Sequence, residues 1–222
     1  MASDGRLRGL YAITPETPDT ESLVERSRLC LRGGARLLQY RAKGLAPALA
    51  LEQARRLAAA CRAAGALFIV NDSIDLARAA EADGVHRGRD DADPREARAR
   101  WPGAVIGVSC YAEPERAREA ARAGADYVAI GSVFPSATKP SAVHAPLQAV
   151  ARAKGAGALP VAAIGGITPE NAAAVVACGA DMLAVISALF DAPDVRAAAR
   201  FLSRLFDEAE VSRDVRAQPR AV

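Results

Sequence analysis

Short apolar runs alternate with longer stretches of helical periodicity along almost the whole chain. The apolar runs are rich in Leu, Ile and Val, which is typical of strands buried on both faces. We predict strands at residues 10–13, 36–40, 67–70, 84–86, 104–108, 127–130, 160–164 and 182–186. We predict helices at residues 20–32, 47–64, 94–100, 114–123, 146–154 and 193–206, and from residues 73 and 169 onward. Strands and helices therefore alternate eight times.

The turns between a helix and the next strand repeat the same chemistry. Glycine stops the preceding helix at residues 33–35, 65–66, 124–126 and 179–181, because glycine readily adopts the left-handed conformation that ends many helices. This rhythm favours a TIM (β/α)8 barrel in a single domain that spans residues 1–206. An open doubly wound sheet is the alternative, but no G-x-G-x-x-G motif follows the first strand. Residues 207–222 are charged and are expected to form a flexible tail.

Composition narrows the class of protein. The 222 residues carry a net charge of +3, which is too mild to indicate a nucleic-acid or membrane partner. The four cysteines are widely separated and lack metal-ligand spacing, so we expect free thiols. No stretch has the length of a membrane span, and the N-terminal residues lack the apolar region of a signal peptide. We therefore expect a cytoplasmic protein, with a monomer and a homo-oligomer both left open.

Acidic residues follow two consecutive predicted strands. Asn71 and Asp72 end the third strand, and Asp90 and Asp91 follow the fourth. In a parallel barrel the carboxyl ends of the strands meet at one rim, which is where active sites are built. Two carboxylates at that rim suit a Mg²⁺ ion that carries a diphosphate. The alternative is that Asp72 caps the next helix and the other acids are solvated loop residues.

Basic side chains and hydroxyls follow two other strands. Gln39, Arg41 and Lys43 come at the end of the second strand, where they suit phosphate oxygens; an ordinary basic loop is the alternative. The long loop after the sixth strand contains Ser-Ala-Thr-Lys at residues 136–139. Its hydroxyls, backbone amides and lysine form either an anion cradle or a surface turn between two prolines.

The last two strands are followed by segments that suit a phosphate group. Gly165-Gly166 follows the seventh strand, and Ile186-Ser187 follows the eighth. Many barrels bind phosphate with backbone N–H groups of these two loops, although two plain strand-to-helix turns are the alternative. We expect Thr168 to cap the next helix.

The sequence shows no nucleophile paired with a base. His86 and His144 are the only histidines, and we interpret His86 as a structural or supporting residue. Ser109 lies outside any G-x-S-x-G motif, so we do not interpret it as a nucleophile. Cys110 and Cys178 are interpreted as small apolar packing residues.

Eight short segments, taken together, resemble the thiamine phosphate synthase family. They are LYAIT at residues 10–14, QYRAK at 39–43, VND at 70–72, ADGVH at 82–86, GVS at 107–109, GADY at 124–127, TK at 138–139 and AIGGIT at 163–168. They occur in that order and cover nearly the whole chain. The resemblance implies a TIM barrel that joins a pyrimidine diphosphate to a thiazole phosphate and releases diphosphate.

The resemblance also assigns roles to residues of this chain. Mg²⁺ would be held by Asp72 and Asp91. The pyrimidine diphosphate would be bound by Gln39, Tyr40, Arg41, Ala42, Lys43, Asn71, Ser109 and Lys139. The thiazole phosphate would be bound by Ser136, Ala137, Thr138, Gly166, Ile186 and Ser187. Arg41, Lys43 and Lys139, with Mg²⁺, would neutralise the departing diphosphate, and the thiazole nitrogen would then attack the pyrimidine-methyl carbon.

Three positions depart from the family pattern. Arg89 stands where the family usually has glutamine, and it either contacts diphosphate or points outward. Ser136 replaces a threonine and keeps the hydroxyl, and Tyr111 replaces a frequent histidine. A related thiazole tautomerase and a barrel that only senses thiamine precursors are the alternatives. The retained Asp72, Asp91 and Lys139 favour the synthase over the tautomerase, and the intact metal ligands favour it over the sensor.

Overall fold

Eight parallel strands hydrogen-bond in chain order into a closed barrel, so the TIM-barrel prediction is confirmed. The computed structural model describes residues 5–88, 93–136, 143–156 and 159–217, with side chains as far as residue 209. The strands are β1 (Gly9–Ile13), β2 (Leu37–Tyr40), β3 (Leu67–Asn71), β4 (Gly84–Arg87), β5 (Val105–Tyr111), β6 (Tyr127–Ile130), β7 (Val161–Ile164) and β8 (Met182–Val185).

Helices connect the strands and surround the barrel. Within the described ranges they are α1 (Thr20–Arg32), α2 (Pro47–Ala64), α3 (Ile74–Ala79), α4 (Pro94–Arg100), α5 (Arg116–Arg122), α6 (Leu147–Ala156), α7 (Ala172–Ala177), α8 (Ser187–Phe190) and α9 (Val195–Ala217). No helix in this part of the chain is long and apolar enough to cross a membrane.

In the C-terminal half of the chain, the sequence prediction missed one helix and ended another too early. The short helix α8 follows β8 directly, and the sequence prediction missed it. Helix α9 runs on to Ala217, across the boundary at residue 206 where the prediction began a separate tail. The prediction that residues 207–222 are flexible stays a prediction.

Strand alternation divides the apolar side chains into two layers. Tyr11 and Ile13 of β1 lie in the barrel interior, packed among the inward side chains of the other strands. Leu10 and Ala12 of the same strand belong to the larger layer between the barrel and its helices. Side chains on a strand point alternately to opposite faces, so the polar residues that reach the cavity are set by the same alternation.

A recurring aspartate fixes the entry into three strands. Asp83, Asp126 and Asp181 stand directly before β4, β6 and β8. The carboxylate of each accepts a hydrogen bond from a backbone N–H of the preceding strand, at 2.7, 2.7 and 2.8 Å. Before two of them, Gly124 and Gly179 have φ values of 87° and 96°, a region that glycine enters without steric cost. The repeated Gly-Ala-Asp turn therefore ends a helix and aligns the next strand in one step.

Candidate active site

A cavity of about 480 Å³ opens at the carboxyl ends of the strands. The predicted site residues that line it are Gln39, Arg41, Lys43, Asn71, Asp72, Ser109, Ser136, Gly166, Ile186 and Ser187. Asp91, Ala137, Thr138 and Lys139 lie outside the described residues, as does Arg89. The fold therefore brings residues from strands far apart in the chain to one rim, and their roles in binding stay predictions.

Two of the predicted substrate-binding residues do not line the cavity. Tyr40 is buried, and its hydroxyl donates to Oε1 of Gln53 in α2 at 2.8 Å. Ala42 packs against the apolar layer between the barrel and the helices. Strand alternation explains the difference, because Gln39 and Arg41 face the cavity and the residue between them must face the helices. The Tyr40 side chain therefore anchors α2 to β2.

Asp72 reaches the cavity mouth through an uncommon backbone conformation. Its φ is 62°, a left-handed value that Asp and Asn adopt more readily than most residues. The N–H of Asp72 donates to the His86 carbonyl at 2.9 Å, and the Arg87 guanidinium donates to the carbonyl of Asp72. Two contacts from β4 therefore hold the Asp72 backbone, and Arg87 is a supporting residue that the sequence analysis did not identify.

The helix-capping alternative for Asp72 is wrong. Helix α3 is capped by Ser73, whose hydroxyl accepts a hydrogen bond from the N–H of Leu76 at 3.1 Å. The Asp72 carboxylate instead lies 2.9 Å from Nζ of Lys43, and these side chains are 28 % and 57 % exposed. An ion pair with that much solvent contact contributes little to stability, so its placement is better explained by ligand binding than by folding.

The basic loop after β2 is anchored by the loop after β1. The Arg41 N–H donates to the Thr14 hydroxyl at 3.0 Å. The Glu16 carboxylate accepts hydrogen bonds from the backbone N–H groups of Lys43 at 2.5 Å and Gly44 at 3.1 Å. The hydrogen bond from Lys43 is the main cause that lowers the pKa of Glu16 below its usual value. The carboxylate therefore holds the loop in its charged form.

We expect the Glu16 contact to give a stability difference that depends on pH. A lowered pKa in the folded state adds stability above the ordinary value of 4.5, which is lost as the pH falls through the folded pKa. Thermal unfolding should show Glu16→Gln melting below the wild type at pH 7. The gap between the two melting temperatures should close progressively below pH 4.5. A gap that stays constant over this range would show that the charge does not anchor the loop.

Five polar side chains form a continuous hydrogen-bonded chain across the barrel interior. The amide Nε2 of Gln39 lies 2.7 Å from the Tyr11 hydroxyl, which lies 2.7 Å from the Tyr127 hydroxyl. His86 contacts the Tyr127 hydroxyl through Nδ1 at 3.0 Å and the Ser109 hydroxyl through Nε2 at 2.9 Å. Both histidine ring nitrogens have partners, which agrees with the interpretation of His86 as a supporting residue. Gln39 and Ser109, at the two ends of this hydrogen-bonded chain, line the cavity, as do Tyr11 and His86.

The loop after β7 is shaped by two glycines and one asparagine. Gly165 and Gly166 have φ values of 101° and 62°, which other residues adopt only with strain. The Asn171 amide donates to the Gly166 carbonyl at 2.9 Å and its oxygen accepts from the Thr168 N–H at 2.9 Å. The predicted helix start at Thr168 is therefore wrong, because Asn171 holds Thr168 inside the turn and α7 begins at Ala172.

The loop after β8 completes the same side of the cavity. Ile186 and Ser187 both line it, and Ser187 is the first residue of α8. The N–H groups of a first helical turn have no acceptor within their own helix. These amides, together with the glycine turn at Gly165 and Gly166, are well suited to an anion.

The acid that faces the cavity within the described ranges is Asp72. No group of three or more His, Cys, Asp or Glu in those ranges is placed to hold a metal ion. Mg²⁺ is commonly held by one or two carboxylates, with water and substrate phosphates filling its other positions. Asp72 therefore fits a magnesium site that the substrate completes, and the predicted second carboxylate, Asp91, lies outside the described residues.

Several supporting residues were missed by the sequence analysis. Tyr11 and Tyr127 occupy inward positions in the barrel. The alternation of side chains along a strand is the one sequence feature that could have predicted this. Glu16 and Asn171 act through backbone groups of loops, and no sequence pattern specifies such long-range partners.

The expectation of free thiols agrees with the structure, in which all four cysteines are unpaired and Cys110 is buried.

Comparison with known proteins gives a consistent result. Residues 10–189 match the family described as "Thiamine monophosphate synthase". A thiamine-phosphate synthase from Aromatoleum aromaticum is 57 % identical over 92 % of this chain and 99 % of its own length. One from Thiobacillus denitrificans is 55 % identical over 89 % of this chain and 94 % of its own length. The solved structure of a thiamine phosphate pyrophosphorylase from Pyrococcus furiosus is 37 % identical, with a TM-score of 0.82, covering 92 % of this chain and 98 % of that one.

Proposed function

The chain belongs to the thiamine monophosphate synthase family, and from this premise we propose the reaction that takes place in its cavity. An aminopyrimidine that carries a diphosphooxymethyl group is joined to a thiazole that carries a phosphooxyethyl group. The products are thiamine phosphate and diphosphate. The observation that carries the proposal is that Arg41, Lys43 and Asp72 line the same cavity as Gly166 and Ser187. One cavity thus offers charges for a diphosphate and a separate backbone site for a phosphate.

The diphosphate is assigned to the side of the cavity near β2 and β3. Arg41 presents a planar guanidinium that pairs with two oxygens, and Lys43 presents a compact charge. Lys139, in the loop after β6, is proposed as a third positive group on the strength of the family resemblance. Asn71 and Asp72 follow β3 on the same side, where Asp72 would hold the metal. Arg41, Lys43, Lys139 and Mg²⁺ would then surround the leaving group with positive charge.

Magnesium is proposed as the cofactor, held by Asp72 and Asp91. When bound, the ion neutralises negative charge on the diphosphate oxygens. Lys43 pairs with Asp72 at 2.9 Å, so this lysine holds the carboxylate in position for the metal. Because the pair is solvent-exposed at the cavity mouth, a diphosphate can enter between its members without a large desolvation cost.

The thiazole phosphate is assigned to the loops after β7 and β8. Gly166, Ile186 and Ser187 would supply backbone N–H groups there. Ser136 also lines the cavity, and it follows Pro135, whose carbonyl oxygen lies against Gly166. A phosphate bound at one end orients the thiazole ring, so its nitrogen faces the pyrimidine-methyl carbon. Ala137 and Thr138 are proposed to complete this site from the loop after β6.

We expect Gly166→Ala to disrupt the thiazole phosphate site. An added Cβ would lie 2.3 Å from the Pro135 carbonyl oxygen and 2.8 Å from the Phe134 Cβ, and φ is 62°. The loop must shift, at a cost of about 1–3 kcal/mol, so the melting temperature should fall and the KM for the thiazole phosphate should rise about tenfold. Gly155→Ala is the matched control, because nothing lies within 4 Å of a Cβ at that helical position. An unchanged KM in Gly166→Ala would remove this loop from the phosphate site.

The proposed mechanism requires no protein nucleophile. Loss of diphosphate leaves a cation that the electron-rich aminopyrimidine ring stabilises, and the thiazole nitrogen then forms the new bond to the methyl carbon. Arg41 and Lys43 stabilise the negative charge that develops on the leaving group. Holding two substrates in one closed geometry supplies much of the remaining acceleration. The contact between the Ser109 hydroxyl and Nε2 of His86, at 2.9 Å, is assigned to positioning the serine, because the proposed chemistry does not use Ser109 as a nucleophile.

The proposal is tested by supplying purified protein with both substrates and separating the products by chromatography. We expect thiamine phosphate to accumulate in the presence of Mg²⁺ and to stop accumulating when the metal is chelated. Conversion of the thiazole to an isomer without Mg²⁺ would indicate a tautomerase. Binding of either substrate without any conversion would indicate a sensor of thiamine precursors.

A further inference from the structure

The hydrogen-bonded chain from Gln39 to Ser109 has one direction along its whole length. Each tyrosine hydroxyl carries a single hydrogen, so it can donate to only one of its neighbours, and its oxygen can accept from the other. The Gln39 amide nitrogen donates to the Tyr11 oxygen. The amide nitrogen cannot accept the Tyr11 hydrogen in return, so of these two neighbours only the Tyr127 oxygen, 2.7 Å away, can accept it. The Gln39 amide sets this direction, because its oxygen in the same place would reverse every bond in the chain.

The direction continues through the histidine to the cavity. The Tyr127 hydrogen is left to donate to Nδ1 of His86 at 3.0 Å, so Nδ1 carries no hydrogen. Neutral imidazole then has its hydrogen on Nε2, which donates to the Ser109 oxygen at 2.9 Å. Ser109 accepts from inside the barrel, and its own hydrogen remains available on the cavity side. A reversed chain would use the Ser109 hydrogen inside the barrel and present only lone pairs to the cavity.

The two tyrosines are held firmly in this arrangement. Their rings meet edge to face, with centroids 5.9 Å apart and an interplanar angle of 79°, a favourable geometry for aromatic pairs. Burial is the main cause that raises the pKa of both hydroxyls well above the ordinary value. Both tyrosines therefore keep their hydrogens at neutral pH. A buried network with every member satisfied is rigid and specifies one arrangement.

We propose that Tyr11, Tyr127 and His86 are positioning residues that fix the Ser109 hydroxyl as a hydrogen-bond donor toward the substrate. An unprotonated ring nitrogen is the group that such a donor recognises, whereas an exocyclic amino group would need an acceptor. The proposal deepens the proposed function, on which it rests for the identity of the ring, and assigns Ser109 to a ring nitrogen of the aminopyrimidine. The direction of the hydrogen bonds from Gln39 to Ser109 is set by residues of the protein and does not depend on which substrate binds.

The direction can be measured without any substrate. The protein has only two histidines, His86 and His144, so ¹⁵N-histidine labelling gives a simple NMR spectrum. A His144→Gln variant identifies the signals of His86. At neutral pH we expect the His86 Nδ1 to show the strongly downfield shift of a nitrogen without hydrogen, and Nε2 to show the shift of a protonated one. The opposite assignment, with the hydrogen on Nδ1, would overturn the proposed direction.

The positioning role is measured in Tyr127→Phe, which removes the hydroxyl that joins Tyr11 to His86. We expect His86 to lose its single tautomer and kcat/KM to fall about tenfold, the factor associated with one intramolecular hydrogen bond. Tyr11→Phe is the second variant, for use if Tyr127→Phe folds poorly. It should give the same changes in the His86 tautomer and in kcat/KM, but smaller ones. A fully folded Tyr127→Phe with the wild-type tautomer and wild-type kcat/KM would overturn the proposal.

A matched control separates positioning from general loss of stability. Gln53 is buried and accepts the Tyr40 hydroxyl at 2.8 Å, outside the cavity. Gln53→Met also leaves a buried tyrosine without its partner, so it should lower the melting temperature while leaving kcat/KM and the His86 spectrum unchanged. If the wild-type protein fails to convert the two substrates, the proposed function fails while the NMR spectrum still decides the direction of the chain.

Discussion

Asp72→Asn should lower the rate of thiamine phosphate formation about a thousandfold, with the fold intact. Asparagine keeps the shape of the side chain and tolerates the left-handed backbone at this position, where φ is 62°. It removes the charge that pairs with Lys43 at 2.9 Å and that is proposed to hold Mg²⁺. Charge stabilisation by a metal contributes several kcal/mol to a transition state, and about 4 kcal/mol corresponds to the expected loss.

The matched control for this variant is Asp75→Asn. Asp75 lies three residues along the chain in the first turn of α3, where its side chain is 82 % exposed and pairs with Arg100 at 2.7 Å. The control removes one carboxylate from the same segment without changing the cavity, so turnover should match the wild type. Calorimetry should show that Asp72→Asn loses magnesium-dependent binding of diphosphate and Asp75→Asn keeps it. Wild-type turnover by Asp72→Asn would exclude Asp72 from the metal site.

Arg41→Met should lower kcat about a hundredfold or more. Methionine fills much of the same space, so the change removes mainly the guanidinium charge next to the proposed leaving group. Removing one preorganised donor to a developing negative charge costs about 10² to 10³ in kcat. The backbone contact from Arg41 to Thr14 at 3.0 Å remains in the variant, so the loop after β2 should keep its position. Steady-state kinetics with both substrates measures the effect.

Arg36→Met is the matched control, because it also removes one positive charge next to β2. Arg36 is exposed at the opposite end of β2, away from the cavity, so its loss changes the net charge by the same amount. We expect its kcat to equal that of the wild type. If both variants lost activity equally, the effect would come from the overall field of the protein, and the assignment of Arg41 to the leaving group would be wrong.

The barrel could be predicted because its strands carry local signals. Most strands are short apolar runs that a glycine or proline separates from the preceding helix, so most predicted bounds fall within a few residues of the observed ones. The fifth strand is an exception, since it continues to Tyr111 through a register shift after Ser109. Pairing of Tyr111 with Ile130 of β6 extends the strand, and a sequence pattern does not reveal such a partner.

The cavity side chains could be predicted from their positions after strands, but their supports could not. Gln39, Lys43 and Asp72 follow apolar runs directly, and the barrel brings such positions to one rim. By contrast, Tyr11 and Tyr127 are 116 residues apart and meet only because β1 and β6 face each other across the barrel. Two apolar-looking tyrosines in separate strands give no sign of a shared hydrogen bond before the barrel closes.

In the proposed reaction, departure of diphosphate and attack by the thiazole follow one another within a single magnesium-dependent turnover in this cavity. A single-turnover reaction, with protein in excess over both substrates, measures it most directly by quantifying diphosphate and thiamine phosphate at each time point. We predict that the two products appear at the same rate and in equal amounts, and that neither appears without Mg²⁺. Absence of diphosphate release by folded protein, or release without thiamine phosphate, would contradict the account.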